Sequence, residues 1–213
     1  MGGPDGDTNL DTNSGILSRI SWNGSAWVKI DLVRGLPRSE ENHATNGMQL
    51  DPQTNILFLA VGGLTNAGSP SINFAYLTEY ALSAAILSIN LPQIEALPLK
   101  GIGNTAYKYD LPTLNDPTRP NKPDGTDLND PFGGNDGLKQ AKIVVGGPVQ
   151  VYASGFRNVY DLVITKLRQL YTIDNGANQD WGGYSANEVS DGTVTNQYVA
   201  GEPGSSGPGV NDP

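Results

Sequence analysis

His43-Ala-Thr-Asn-Gly-Met-Gln-Leu-Asp51-Pro-Gln-Thr-Asn-Ile-Leu-Phe-Leu-Ala-Val-Gly62-Gly63 sets the chain's only histidine directly before a strand, a turn opened by Asp51-Pro52, and a second strand that ends on two glycines. A later stretch repeats the layout. Gly155-Phe-Arg157-Asn158-Val-Tyr-Asp-Leu-Val-Ile-Thr-Lys-Leu-Arg-Gln-Leu-Tyr-Thr-Ile-Asp-Asn-Gly176 again runs from a polar residue through strand, turn and strand to a glycine. Gly62 stands 19 positions after His43, and Gly176 stands 19 after Arg157. Two hairpins with their polar residue at the same phase are the signature of stacked β units, and such units place equivalent positions on one face. His43 and Arg157 are therefore expected to line a common mouth.

The 213 residues suffice for one sizeable all-β domain, and 27 glycines with 15 prolines imply short strands and many turns. A net charge of −9 and a pI near 4.4 argue against nucleic acid, anionic membrane surfaces and acidic substrates. The absence of cysteine excludes disulfides, thiolate metal sites and a thiol nucleophile. The opening Met1-Gly-Gly-Pro-Asp-Gly-Asp does not read as a signal peptide, and the apolar runs are too short to cross a bilayer as helices.

Taken in order, residues 1–14 read as loop. Ile16–Trp22 and Ala26–Val33 form a hairpin, with Asn23-Gly24 supplying the positive φ angles of its turn. Gly35-Leu-Pro-Arg then delivers the chain to His43 and the hairpin at 47–61. Residues 79–91 have helix-like Ala and Leu content, but the second half, Ala85–Leu91, is assigned as a strand closed by Pro92. Residues 100–148 read as a long loop excursion with five aspartates between Asp116 and Asp136. Within it, Asp124-Gly-Thr-Asp127-Leu-Asn129-Asp130 offers oxygen ligands at calcium-loop spacing without the full EF-hand pattern, and a solvated acidic loop is the favoured alternative. Strands resume at Pro148-Val-Gln-Val-Tyr-Ala153 and run through the Arg157 hairpin; from Gln179 the chain is again rich in Gly, Ser and Asn. This divides the chain into first units at 15–100, an acidic excursion at 101–147, a further unit at 148–200 and a connection at 201–213.

His43 before Gly47-Met-Gln-Leu-Asp-Pro, the strand Ala84-Ala-Ile-Leu-Ser-Ile-Asn-Leu91, and Val151-Tyr-Ala-Ser-Gly-Phe-Arg157-Asn158 leading to Tyr171-Thr-Ile-Asp-Asn-Gly176-Ala177-Asn178 together resemble the soluble glucose/sorbosone dehydrogenase family over roughly residues 30–180. The resemblance implies an all-β fold, a six-bladed β-propeller of four-stranded antiparallel blades, of which this chain would supply about half. It further implies bound pyrroloquinoline quinone and Ca²⁺, oxidation of an aldose, and an extracellular or periplasmic location. His43 would be the general base, Arg157 and Asn158 would contact the quinone, and the main-chain carbonyls of Gly176 and Ala177 would ligate Ca²⁺. Two departures stand out: the acidic residue that orients the base in the family is replaced here by Gly62 or Gly63, and the usual Asp before the base is Asn42. Half a propeller would leave open blade faces, so further blades are expected beyond Pro213.

Each site residue also has a structural reading. His43 would cap a turn, Arg157 would brace loop carbonyls with Asp174 as a partner, and Tyr152, Tyr160 and Tyr171 would pack in the core and rim. On that reading the chain is a non-catalytic propeller module for carbohydrate binding or adhesion in a larger extracellular protein.

Overall fold

The structure is a computed structural model that describes residues 13–39, 43–68, 74, 79–115 and 139–178. It is mostly β. Strands β1 (Gly15–Trp22) and β2 (Trp27–Leu36) pair antiparallel, and β6 (Tyr107–Asp110) adds to β2 in parallel. A four-stranded antiparallel sheet follows, in the order β3 (Thr45–Asp51), β4 (Ile56–Val61), β5 (Ala85–Asn90) and β9 (Val149–Ser154). Strands β10 (Val159–Ile164) and β11 (Leu170–Asp174) form a hairpin, and β7 (Thr113–Asn115) pairs with β8 (Lys139–Ala141). The described residues thus make four separate sheets, none closed on itself. No helix among them is long and apolar enough to cross a membrane.

The four-stranded sheet is the middle layer, which explains why β4 and β5 read as almost continuous apolar runs. Leu59, Val61, Leu87, Ile89 and Val149 point to one side and share a core with Leu17, Leu32, Val33 and Leu36 of the first sheet. Ala60 and Ile86 point to the other and pack on Val159 and Leu162 of the β10–β11 hairpin. With both faces buried, period-2 alternation of polarity vanishes, so helix-like composition at 84–91 gives way to a strand fixed by pairing on both edges.

The two hairpins matched in the sequence stack face to face. Gly47 in β3 is the point of closest approach: a Cβ there would stand 2.7 Å from the Asp161 Cα, as well as against the Asp161 carboxylate. Their turns are also alike, each closing on a non-glycine residue with positive φ, Asn55 (55°) and Arg168 (63°). As expected, Asp51 opens the first of these turns, accepting from the Gln53 amide and the Thr54 hydroxyl.

Four expectations need correcting. The β1–β2 turn draws positive φ from Gly24 alone; Asn23 instead uses its side-chain oxygen to accept from the Ser25 and Ala26 amides. Residues 100–148 are not simply an excursion, because β6 completes the first sheet and β7 and β8 pair with each other. Val149–Ser154, assigned to the later unit, hydrogen-bonds to β5 as the fourth strand of the earlier one. Strand β5 ends at Asn90, whose side chain caps the short helix α1 (Leu91–Glu95), with Pro92 in its first turn where a missing N–H costs nothing. The candidate calcium loop Asp124–Asp130 and the segments 1–12 and 179–213 lie outside the described residues.

Candidate functional site

His43 lies two residues before β3, Gly62 directly after β4, Arg157 two before β10, and Asn175 directly after β11. Antiparallel pairing and stacking therefore bring all four to one end of the layered sheets. His43 and Arg157 are both only 3% exposed, and both meet the ring of Phe74, at 4.9 Å between ring centroids and 5.9 Å from the guanidinium carbon. Gly63 links them through its backbone, its N–H donating to the Arg157 carbonyl at 2.7 Å and its carbonyl facing His43 Nδ1 at 2.9 Å.

That second contact sets the histidine tautomer. A carbonyl can only accept, so Nδ1 carries the proton and Nε2 is left with its lone pair. Nε2 has no hydrogen-bond partner among the described residues. Burial, reinforced by the Arg157 charge, pushes the imidazole pKa down to about 4, against opposing contributions from the Gly63 carbonyl and Asp174. His43 is therefore neutral at physiological pH.

The glycine pair is what lets the layers meet. A Cβ at position 62 would stand 2.6 Å from the His43 Cβ and 2.8 Å from Asn158 Oδ1, and one at position 63 would stand 2.7 Å from Glu79 Oε1. The acid expected at these positions by resemblance has no room there; a backbone carbonyl orients the imidazole instead. Glu79 serves the same loop from elsewhere in the chain, accepting from the Leu64 and Thr65 amides and from the Thr65 and Ser83 hydroxyls.

Arg157 braces a loop carbonyl, as its structural reading expected, but takes Asn66 as its side-chain partner. Its guanidinium donates from Nε to Asn66 Oδ1 at 2.7 Å and from an η nitrogen to the Asn175 carbonyl. Asp174 instead receives the backbone amides of Arg157 and Asn158 on its two oxygens. Asn158 accepts on its side-chain oxygen from Asn46 and on its carbonyl from the Asn175 amide. Asn178 is clamped by Asn66 through both its amide and its carbonyl. Gly176 and Ala177 are thus a two-residue span held at both ends, and neither carbonyl has a hydrogen-bond partner among the described residues. No group of three or more His, Cys, Asp or Glu that would hold a metal occurs among those residues, so the candidate metal ligands at this end are main-chain oxygens.

Phe74, Asn66 and Glu79 were not singled out from the sequence. They come from the connection between β4 and β5, which carries no periodic pattern to mark them. Comparison with protein-family models, with curated proteins and with solved structures finds no match.

The His43 environment predicts a pH dependence of stability. Above about pH 6.5 the residue is neutral in both folded and unfolded chains and contributes no slope. Between that value and about 4 the unfolded chain takes up the proton and the folded one resists it, so stability falls as pH falls through this window. The full loss amounts to roughly 3–4 kcal/mol, at about 1.4 kcal/mol per pKa unit over the shift from 6.5 to about 4, with roughly 2–3 kcal/mol of it falling between pH 7 and pH 4.5. Denaturant unfolding at pH 7 and pH 4.5 should show a smaller drop for His43→Gln than for the parent chain. Equal drops would refute the assignment of a buried, neutral imidazole.

Proposed function

We propose that this chain forms part of a β-propeller sugar dehydrogenase that holds pyrroloquinoline quinone and Ca²⁺ at the His43–Arg157 end and oxidises an aldose. The observation that carries the reading is the fixed tautomer of His43: a buried imidazole with Nδ1–H committed to Gly63 and Nε2 available, beside an arginine. That is the arrangement a general base needs, geometry before basicity.

The residues suit the group in donor type. Arg157 supplies a cation for a carboxylated planar ring system, the Asn158 amide nitrogen has no partner among the described residues, and the Gly176 and Ala177 carbonyls are the hard oxygen donors that Ca²⁺ takes. The quinone would supply the redox chemistry as hydride acceptor. The protein's own contribution is to take the proton of the sugar's anomeric hydroxyl on His43 Nε2 and to exclude water by burying that end of the sheets. A conjugate-acid pKa near 4 makes His43 a weak base as it stands. Because the Arg157 charge is one cause of that low value, an anionic ligand on Arg157 would raise it and strengthen the base.

The test is a thermal-shift and fluorescence titration with quinone and Ca²⁺ together. Binding should raise the melting temperature, EDTA should reverse the shift, and added Ca²⁺ should restore it, because a ligand bound only by the folded state stabilises it by mass action. Gly176→Ala should leave all three responses in place, since Gly176 has no positive φ and a Cβ there meets nothing within 4 Å. A melting curve indifferent to quinone, EDTA and Ca²⁺ would remove the cofactor from the account. The second reading, a non-catalytic carbohydrate-binding propeller module, draws on the same low pKa of His43 and would then stand in its place.

A further inference from the structure

The opposite end of the layered sheets, where the two equivalent turns meet, holds a cavity of about 420 Å³, within the size range of small-ligand sites. Phe58, Leu167 and Leu170 line it with Tyr152, Asp51 and Arg168. Two local backbone features set its polar and aromatic groups. In β9 the register against β5 shifts between Ala153 and Val151, so Tyr152 is the extra, unpaired residue of a bulge, a device that re-aims a side chain. Tyr152 is 56% exposed and packs at the rim of the core, its ring standing edge-on to Phe58 at 4.7 Å. In the β10–β11 turn, Arg168 adopts φ 63°, a conformation side-chain-bearing residues rarely take, and an η nitrogen donates to Asp51 Oδ2 at 2.6 Å.

From this geometry we infer that the cavity is a binding site for a neutral sugar ring. The Asp51–Arg168 pair is the deciding feature. The Arg168 guanidinium has no partner other than Asp51 among the described residues, so its remaining N–H groups are available as donors, while the buried Asp51 carboxylate, already accepting from Gln53, Thr54 and Arg168, balances its charge. Clustered N–H donors on a pair with no net charge suit the hydroxyl oxygens of a neutral ring, each of which can accept. A cation would face the half-exposed Arg168 guanidinium, and an anion would find that charge already balanced by the buried Asp51 carboxylate. The exposed face of Tyr152 covers the apolar C–H side of the ring, the combination of flat apolar wall and few polar anchors that orients small ligands. The site is independent of the quinone reading, since it lies at the other end of β3, β4, β10 and β11.

The experiment is amide NMR of the full chain, without quinone, titrated with methyl glucoside, methyl galactoside and xylose, and in parallel with glucuronate and glucosamine. At least one neutral sugar should give saturable shifts at Tyr152, Leu167 and Arg168. Tyr152→Ala and Arg168→Gly should each weaken binding by about tenfold or more, the worth of a charge-assisted hydrogen bond or an aromatic contact. Arg168→Gly places at positive φ the residue that favours it, so the turn is retained and the loss reports the guanidinium. Absence of saturable shifts with every neutral sugar, binding undiminished in both variants, or tighter binding of glucuronate or glucosamine would each overturn the proposal.

Discussion

On the proposed dehydrogenase reading, replacing His43 with glutamine should lower quinone-dependent sugar oxidation by about 10²–10⁴-fold, the usual worth of a positioned general base, while leaving quinone affinity nearly unchanged. Glutamine is the apt replacement because its side-chain N–H₂ can still donate to the Gly63 carbonyl that now receives Nδ1–H, so the loop between β4 and β5 keeps its anchor. What it lacks is a basic nitrogen. The effect should therefore fall on turnover far more than on KM, as expected when a group acts in the transition state and not in binding. Dye reduction by preparations reconstituted with pyrroloquinoline quinone and Ca²⁺ is the measurement, over a panel of aldoses. Wild-type activity in the variant, or no activity in the parent chain on any aldose, would transfer the site from catalysis to binding.

The second large effect is expected at Gly62. By the family resemblance, an aspartate introduced there would restore the acid that orients the base; the packing says the reverse. Its Cβ would stand within 2.6 Å of the His43 Cβ and 2.8 Å of Asn158 Oδ1, distances that real contacts do not sustain. Both neighbours are themselves held, His43 through Gly63 and Ser39, and Asn158 through Asn46 and Asp174. Neither can give way cheaply. Gly62→Asp should destabilise the chain by about 1–3 kcal/mol, the cost of overpacking a fitted site. It should also part His43 from Arg157 and so lower activity. Urea unfolding and dye reduction together decide the matter. A variant of unchanged stability and raised activity would show that the imidazole wants a carboxylate and that the Gly63 carbonyl is a poor substitute.

Much of the layered arrangement was legible because hairpins are local. Alternation, Asp51-Pro52 at one turn and the shared 19-residue spacing marked both repeated units, and their polar residues do converge on one ring, that of Phe74. Residues 84–91 were harder, because a strand buried on both faces has no polar phase to reveal it. The pairing of β6 with β2 was not legible at all. Parallel pairing across some 70 residues leaves no mark on either strand's own pattern.

By itself, the sequence determined an all-β chain with two equivalent hairpins and one histidine and one arginine at matching positions, because period, turn chemistry and spacing are written residue by residue. Only the tertiary structure decided what those two residues touch. That His43 is oriented by a backbone carbonyl and not by an acid, that Asp174 receives Arg157's amide and not its guanidinium, and that Asp51 and Arg168 tie the far turns together all depend on how closely two stacked hairpins approach. That distance is set by glycines at 47, 62 and 63, whose missing side chains register in a sequence as possible turns and in the folded chain as contact between layers.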